Sequence, residues 1–272
     1  MLFIKIIKKN IKALVLSIGF FLGSRKNESL IVTMPRSGTH LTFGLLNVCY
    51  SIKLGYEPNL GVTDKGYATF AKLQLPFDER SIFADYHKMS LWHSHLPYSE
   101  IVPIRKKYCN TIVLIREPLS GIKSYIMHAL NARNDKSIFN KREISLVDFE
   151  ILEKQYNFLS HYALFLKSWL KEKSNPKKKN IVVFDNKFIK KKPSKYLAFL
   201  NRFYSFGFTE FEMSKAVELL DYDRVKKMSS SSSIRISKNS LNFSQEVADI
   251  IKKKCEGHYM DLLKISDNEY LK

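Results

Sequence analysis

Residues 30–41 read LIVTMPRSGTHL, and the character of the chain changes in the middle of this stretch. Residues 30–34 (LIVTM) form a short apolar run that is typical of a buried β-strand. Residues 35–38 (PRSG) follow as a turn, and residues 40–52 read as a buried helix with apolar side chains on most faces. A glycine-containing turn between a strand and a helix directs backbone N–H groups and the positive end of the helix dipole to one point, where a phosphate group can bind.

The side chains of this turn support a phosphate site as well. Arg36 supplies a positive charge. Hydrogen-bond donors follow at Ser37, Thr39 and His40. The triphosphate-binding motif G-x-x-x-x-G-K-[ST] is excluded, because it occurs nowhere in the chain. An ordinary strand–helix turn that uses Gly38 only for its geometry remains the alternative.

Outward from this turn, apolar strand-like runs alternate with segments of helical length. Further elements are predicted at residues 91–95, 111–115 and 181–184 (strands) and at residues 118–132, 146–173, 194–204, 212–220 and 244–263 (helices). Strands separated by helices form βαβ units with parallel strands. We therefore predict an α/β fold, a single domain with a mostly parallel central sheet flanked by helices and a helical C-terminal third.

A second motif, TIVLIREPLSGIKSY, places an arginine directly after a predicted strand. Arg116 follows residues 111–115 at the carboxyl end of that strand, where the ligands of open α/β sheets bind. Ser124 lies eight residues further on, in the first turns of the next helix, so that both side chains can reach one phosphate group. The alternative is a surface ion pair between Arg116 and Glu117, with Ser124 as a tolerated helix residue.

A third motif, LWHSHLP, contains two histidines on the strand predicted at residues 91–95. His93 and His95 alternate along it and therefore share one face. Imidazole is the side chain best suited to removing a proton near neutral pH, which makes this pair a candidate general base. A zinc site lacks a third ligand at convincing spacing, and burial as ordinary core residues remains open.

Together, the three motifs resemble those of the sulfotransferases that use 3′-phosphoadenosine 5′-phosphosulfate (PAPS), particularly the cytosolic type. Three family motifs have clear counterparts: P-K-S-G-T-T-W at residues 35–41, K-T-H-L-P at residues 93–97 and R-x7-S-Y at residues 116–125. Two more have weaker counterparts: Y-E-D at residues 184–186 and S-F-E-x-M-K at residues 221–226. The order and the approximate spacing of the motifs agree over residues 30–238.

The resemblance implies a P-loop-like nucleotide-binding architecture, PAPS as co-substrate and no metal. It implies that His95 accepts the proton of the acceptor and that Arg36 neutralises charge on the leaving phosphate. Arg116 and Ser124 correspond to residues that hold the 3′-phosphate. The residues that the resemblance assigns to donor binding are Pro35, Arg36, Ser37, Gly38, Thr39, His40, Arg116, Ser124, Arg235 and, against the adenine, Phe184 and Tyr222.

Several positions depart from the family pattern. Arg36 replaces the more usual lysine and keeps its charge on a planar fork. His93 replaces the lysine of the family's base motif. The C-terminal R-K-G-x-x-G-x-W loop has its nearest counterpart in residues 233–238 (SIRISK), without either glycine or the tryptophan. Arg235 is the candidate for the phosphate contact of that loop, and an ordinary surface charge is the alternative.

The composition is compatible with this function but also with others. The 272 residues carry 45 Lys and Arg against 26 Asp and Glu, a formal net charge of +19 that favours anionic partners. Three scattered cysteines argue against a disulfide framework or a four-ligand zinc site. A kinase-like phosphotransferase, a catalytically inactive relative and a basic protein that binds membranes or nucleic acid without catalysis remain as alternatives. No nucleic-acid-binding motif accompanies the lysine clusters, so nucleic acid is not the expected partner.

The N-terminus joins a lysine-rich start to an apolar run at residues 13–23 (ALVLSIGFFLG), which is too short to span a bilayer. We predict a helix within residues 1–28 that either packs on the domain or lies on an anionic membrane surface through residues 1–23. The sulfotransferase domain is expected at residues 29–265, followed by a tail at 266–272. We expect a cytoplasmic protein, peripheral on the membrane if that helix binds there, whose acceptor is a carbohydrate, a lipid headgroup or a small alcohol.

Overall fold

The computed structural model describes residues 28–53, 73–74, 80–81, 90–101, 110–133, 143–178, 180–220 and 242–271. The strands are β1 (Glu28–Thr33), β2 (Leu73–Gln74), β3 (Arg80–Ser81), β4 (Ser90–Ser94), β5 (Asn110–Ile115), β6 (Glu143–Ile144), β7 (Ile181–Asp185) and β8 (Asn242–Phe243). The α-helices are α1 (Thr39–Lys53), α2 (Pro118–Arg133), α3 (Leu146–Tyr156), α4 (Phe158–Lys173), α5 (Asn186–Lys191), α6 (Pro193–Tyr204), α7 (Glu210–Leu219) and α8 (Gln245–Lys264). Short 3₁₀ turns lie at Tyr98–Glu100 and Asn268–Leu271.

The central sheet has the strand order β2-β3-β4-β1-β5-β7. The last four of these strands run parallel, and Ile31 of β1 is paired with His93 of β4 on one side and with Ile112 of β5 on the other. β2 and β3 are added antiparallel at one edge. β6 and β8 form a separate parallel pair. The prediction of an α/β fold with a mostly parallel central sheet is therefore confirmed.

Helices cover both faces of the sheet, because side chains that alternate along β1 are apolar in both directions. Leu30 and Val32 point to one face and pack with apolar side chains of α2, α3, α4 and α8. Ile31 points to the other face and packs with side chains of α1, α6 and α7. The two resulting cores hold the carboxyl ends of the parallel strands in a fixed relation to one another.

The helix predicted over residues 146–173 is divided into α3 and α4. The break lies at Asn157, whose backbone is left-handed, with φ 55°. Asparagine adopts this conformation more readily than most residues do. Glu153 then accepts hydrogen bonds from the backbone N–H groups of Leu159 at 2.7 Å and Ser160 at 3.0 Å, at the start of α4. The helical periodicity continued across the break, which is why the sequence predicted one helix.

Residues 266–271, expected as a tail, pack on the edge strand β7. The Asp267 carboxylate accepts from the backbone N–H of Val183 at 2.8 Å. The Asn268 side-chain oxygen accepts from the backbone N–H of Asp185 at 3.0 Å. These contacts satisfy backbone donors of a strand that, among the described strands, pairs with β5 alone.

Three of the sequence predictions concern parts of the chain that the structure does not describe. The N-terminal helix lies outside the described residues, apart from Glu28, which begins β1. Tyr222 and Arg235 also lie outside them. Among the residues that are described, no helix has the length and apolar character needed to cross a membrane.

Candidate active site

The carboxyl ends of four parallel strands bring the sequence motifs to one edge of the sheet. His95 follows β4, residues 35–38 follow β1, Arg116 follows β5, and Asp185 ends β7. Because β1 lies between β4 and β5, its turn lies between the histidine motif and the arginine motif. This edge is where open α/β sheets bind ligands. Three motifs that are far apart in sequence therefore form one site.

The turn after β1 holds two residues in the left-handed region, with φ 69° at Arg36 and 112° at Gly38. A hydrogen bond of 2.9 Å from the Ser37 N–H to the Met34 carbonyl closes the turn. The Thr42 N–H donates to the Gly38 carbonyl at 2.9 Å, at the start of α1. N–H groups in the first turn of a helix have no acceptor within that helix, so they are available to an anion at this end.

Close packing as well as backbone conformation requires glycine at position 38. A Cβ atom there would lie 2.8 Å from Asn186 Nδ2 and 3.1 Å from Ile189 Cδ1, so α5 packs directly on the turn. Within the described part of the chain, the Ser37 hydroxyl and Asn186 Nδ2 are buried and have no hydrogen-bond partner. Buried polar groups without partners are rare in folded proteins and often mark a site that a ligand completes.

Two arginines lie next to each other beside this turn. Arg116 Nη1 donates to the Arg36 carbonyl at 2.9 Å, and Arg36 Nε donates to Ser124 Oγ at 3.4 Å. Arg116 Nε donates to Ser120 Oγ at 3.2 Å. Partial burial lowers the pKa of both arginines, and the charge of Arg116 lowers the pKa of Arg36 further. Both guanidinium groups remain cationic at neutral pH, so they attract an anion to this edge.

Two tyrosine hydroxyl groups donate hydrogen bonds at this edge of the sheet, one of them to Arg116. Tyr162 donates its hydroxyl hydrogen to the Arg116 carbonyl at 2.6 Å. Gly121 permits this approach, because a Cβ there would collide with the Tyr162 hydroxyl. Tyr259 donates to the buried carboxylate of Asp185 at 2.7 Å. Burial raises the pKa of Asp185, whereas this hydrogen bond and the charge of Arg116 act in the opposite direction.

A third cation approaches the arginines from α5. Lys190 lies four residues after Asn186, and therefore on the helix face that packs on the turn. Partial burial lowers the pKa of Lys190, and the charges of Arg116 and Arg36 lower it further. Three like charges in one place repel one another, and an anionic ligand would relieve that repulsion.

Hydrogen bonds hold both the ring and the backbone carbonyl of His95. Its Nδ1 lies 2.7 Å from the carbonyl oxygen of Thr33. A carbonyl oxygen only accepts, so Nδ1 carries the hydrogen of the neutral ring and Nε2 carries the lone pair. By the same reasoning, His161 Nε2 donates to the His95 carbonyl at 3.1 Å.

Among the predicted site residues, five make the side-chain hydrogen bonds of this site, namely Arg36, Thr39, His95, Arg116 and Ser124. Phe184 does not: its ring is fully buried and packs edge-on against Tyr196 and Phe199. An adenine contact would require this ring to leave the core. The backbone of His40 lies in α1 and that of His93 in β4.

Sequence reasoning missed several residues that build the site. Ser120 had a readable signal, since it lies one helical turn before Ser124 and shares its face. Thr33 had a weaker one, as the polar residue in an apolar strand. Lys190 lies in a lysine-rich segment (residues 187–192, KFIKKK), in which the sequence does not distinguish one lysine from the others. Tyr162 carried no signal, because only tertiary packing brings its hydroxyl to Arg116.

Comparison with known proteins agrees with the resemblance of the motifs. The family model "Sulfotransferase domain" matches residues 26–272. Among solved structures, the chain matches mouse sulfotransferase SULT7A1 complexed with PAP, with 18% identity, a TM-score of 0.48 and coverage of 77% of this chain and 68% of that chain. It also matches retinol dehydratase with retinol and PAP, with 15% identity, a TM-score of 0.51 and coverage of 89% of this chain and 83% of that chain. A match to retinol dehydratase with androsterone and inactive cofactor PAP has 15% identity, a TM-score of 0.49 and coverage of 89% and 82% in the same order. A search of curated proteins gave no match. Because the family match spans nearly the whole chain and includes every motif of the site, this chain belongs to the sulfotransferase domain family and is a sulfotransferase.

Proposed function

We propose that the sulfuryl donor is PAPS and that the acceptor offers a hydroxyl group or an amine. The observation that carries this proposal is the pairing of Arg36 and Arg116 beside the turn that joins β1 to the start of α1. A donor with a 3′-phosphate and a 5′-phosphosulfate needs several cationic and N–H contacts within a small volume. The unpartnered hydroxyl of Ser37 in the same turn fits such a ligand.

The two anionic groups of the donor are assigned to adjacent parts of the site. The turn at residues 35–39, with the Arg36 guanidinium, would hold the 5′-phosphosulfate. Arg116 and Ser124 would hold the 3′-phosphate. The contact of 3.4 Å between Arg36 and Ser124 joins the two parts, so that a change at one affects the other. Tyr222 and Arg235 complete the donor site in this proposal, as an adenine contact and a phosphate contact.

His95 is the proposed general base, with its Nε2 lone pair as the proton acceptor. The acceptor oxygen forms a bond to sulfur while the bond from sulfur to the 5′-phosphate oxygen breaks. The acceptor proton moves to His95 Nε2, and PAP leaves with the electron pair of the broken bond. Arg36 and the N–H groups of the turn stabilise the charge that develops on the leaving phosphate.

The acceptor is proposed as a carbohydrate, a lipid headgroup or a small alcohol. Retinol dehydratase, which has a similar fold, was solved with retinol and PAP. Retinol is an alcohol, so small alcohols are the first acceptors to assay.

Calorimetric titration tests the donor assignment. We expect 3′,5′-adenosine bisphosphate to bind without added metal and more tightly than ATP or a DNA oligomer, because the site offers separate contacts for the 3′ and 5′ groups. Preference for ATP with magnesium would support a phosphotransferase instead. Binding of DNA alone would support a nucleic-acid-binding protein.

Substitution of the base tests the mechanism. His95→Ala should lower kcat by about 10²–10⁴-fold, the usual contribution of general base catalysis. Its affinity for the bisphosphate should stay within about twofold, because the base does not contact the donor phosphates. His258→Ala, on α8 and outside the networks described above, is the matched control and should retain full activity. Turnover that survives in His95→Ala would move the role of base to another group, with His93 the first to test.

A further inference from the structure

A buried threonine connects the donor turn to His95. Thr33 is the last residue of β1, and its side chain is fully buried. Its Oγ1 lies 2.7 Å from Thr39 Oγ1, at the start of α1, and 3.1 Å from His95 Nδ1. One hydroxyl group thus bridges a residue of the phosphate-binding turn and the imidazole on the neighbouring strand.

The direction of the hydrogen bonds follows from the ends of this chain of groups. The Thr33 carbonyl holds the hydrogen on His95 Nδ1, so the ring also donates toward Thr33 Oγ1. Since Thr33 Oγ1 accepts from the ring, its own hydrogen can be donated to Thr39 Oγ1. The Thr39 hydrogen is then directed to a phosphate oxygen, because an anionic phosphate only accepts.

We propose that Thr33 is a positioning residue that couples donor binding to the proton affinity of His95. The inference rests on the proposed function, because it requires an anionic donor at the turn and His95 as the base. A phosphate that accepts from Thr39 makes Thr39 Oγ1 the better acceptor, and this polarisation passes through Thr33 to the ring. A ring that donates more strongly at Nδ1 is more basic at Nε2, because a hydrogen-bond acceptor at one ring nitrogen increases the basicity of the other.

The coupling has a functional consequence. The basicity of His95 Nε2 is highest when the donor is bound, and that is when the acceptor proton has to be removed. Substitution of the Thr33 side chain removes the bridging hydroxyl but keeps the Thr33 backbone carbonyl, so the hydrogen of the His95 ring stays on Nδ1. The effect of the hydroxyl can therefore be measured without a change of tautomer.

The test compares Thr33→Val, which keeps the shape but lacks the hydroxyl, with Thr33→Ser, which keeps the hydroxyl. NMR titration of the His95 ring is carried out with and without 3′,5′-adenosine bisphosphate. In the native protein and in Thr33→Ser, the bisphosphate should raise the pKa of His95. In Thr33→Val the rise should be smaller, leaving only the direct attraction of the ligand charge.

Turnover provides a second readout. At saturating donor, kcat of Thr33→Val should fall roughly fivefold to tenfold, the loss expected for one hydrogen bond, while KM for the donor changes less than about twofold. The acid limb of the kcat–pH profile should move to lower pH, because a base with a lower pKa stays deprotonated there. A merely structural role of Thr33 would not move this limb.

Equal pKa rises in Thr33→Val and the native protein, with unchanged kcat, would overturn the proposal. Loss of the rise in Thr33→Ser would overturn it too, since that variant keeps the hydroxyl. If Thr33→Val does not fold, Thr33→Ala takes its place under the same criteria. Failure of the native protein to bind the bisphosphate would refute the proposed function instead, so the two failures are distinguishable.

Discussion

At the scale of single residues, Gly38 meets two separate constraints, its φ of 112° and its close approach to Asn186. Gly38→Ala should weaken bisphosphate binding at least tenfold, because strain of about 1–3 kcal/mol is relieved by moving the turn and its N–H groups. Gly257→Ala is the matched control: a Cβ there meets nothing within 4 Å, and alanine improves an α-helix by about 0.5–1 kcal/mol. Calorimetry and thermal unfolding of both variants measure these effects. Unchanged binding in Gly38→Ala would show that the turn does not contact the donor.

At the scale of elements, the edge strand β7 depends on the C-terminal residues. Asp267 accepts from Lys173 Nζ at 2.7 Å and from the Val183 N–H at 2.8 Å, and both charged side chains are mostly buried. Asp267→Ala should lower the free energy of unfolding by about 2–4 kcal/mol, because it leaves a charge and a backbone donor unpaired. Asp261→Ala, which removes an exposed pair with Lys264, should cost less than about 1 kcal/mol. Urea unfolding measures the free energy of unfolding of both variants. An equal loss in Asp267→Ala and Asp261→Ala would contradict this role of Asp267.

At the scale of the whole molecule, lysines that contribute to the net charge of +19 lie near both edges of the sheet. Lys191 ends α5 and Lys192 follows it, near the carboxyl edge where the proposed donor site lies, and both side chains are exposed. Lys171 and Lys177 are also exposed, but they precede the amino end of β7 and so lie near the opposite edge. The two pairs therefore allow an experiment at constant net charge.

We expect the double variant Lys191→Ser/Lys192→Ser to bind the bisphosphate roughly two- to fivefold more slowly at low ionic strength, because local charge steers an anionic ligand. The variant Lys171→Ser/Lys177→Ser should associate nearly as fast as the native protein. Stopped-flow measurements at low and high salt test this, and the difference should vanish at high salt. Equal slowing of both variants would mean that only the total charge matters.

The limits of prediction are clear at Asn157 and Asp267. A helical pattern over residues 146–173 reports which side chains are apolar, and it continued across the left-handed residue that divides α3 from α4. The sequence at 266–271 looks like a polar tail because its partners, the backbone N–H groups of Val183 and Asp185, lie on a strand more than 80 residues earlier. Periodicity describes burial and not the pairing of individual polar groups.

The sequence by itself determined the α/β class, the four parallel strands of the central sheet, the strand–helix turn at residues 35–38 and the candidate roles of Arg36, His95 and Arg116, because those depend on local pattern and motif. It did not predict the short strands β2, β3, β6 and β8 or the short helix α5. Tertiary structure alone decided which groups meet at the carboxyl edge: Ser124 with Arg36, Tyr162 with Arg116, and Thr33 with both Thr39 and His95. It also placed the Phe184 ring in the core. The physical reason is that a hydrogen bond depends on distances and directions of a few tenths of an ångström, and these are set by how the strands and helices pack.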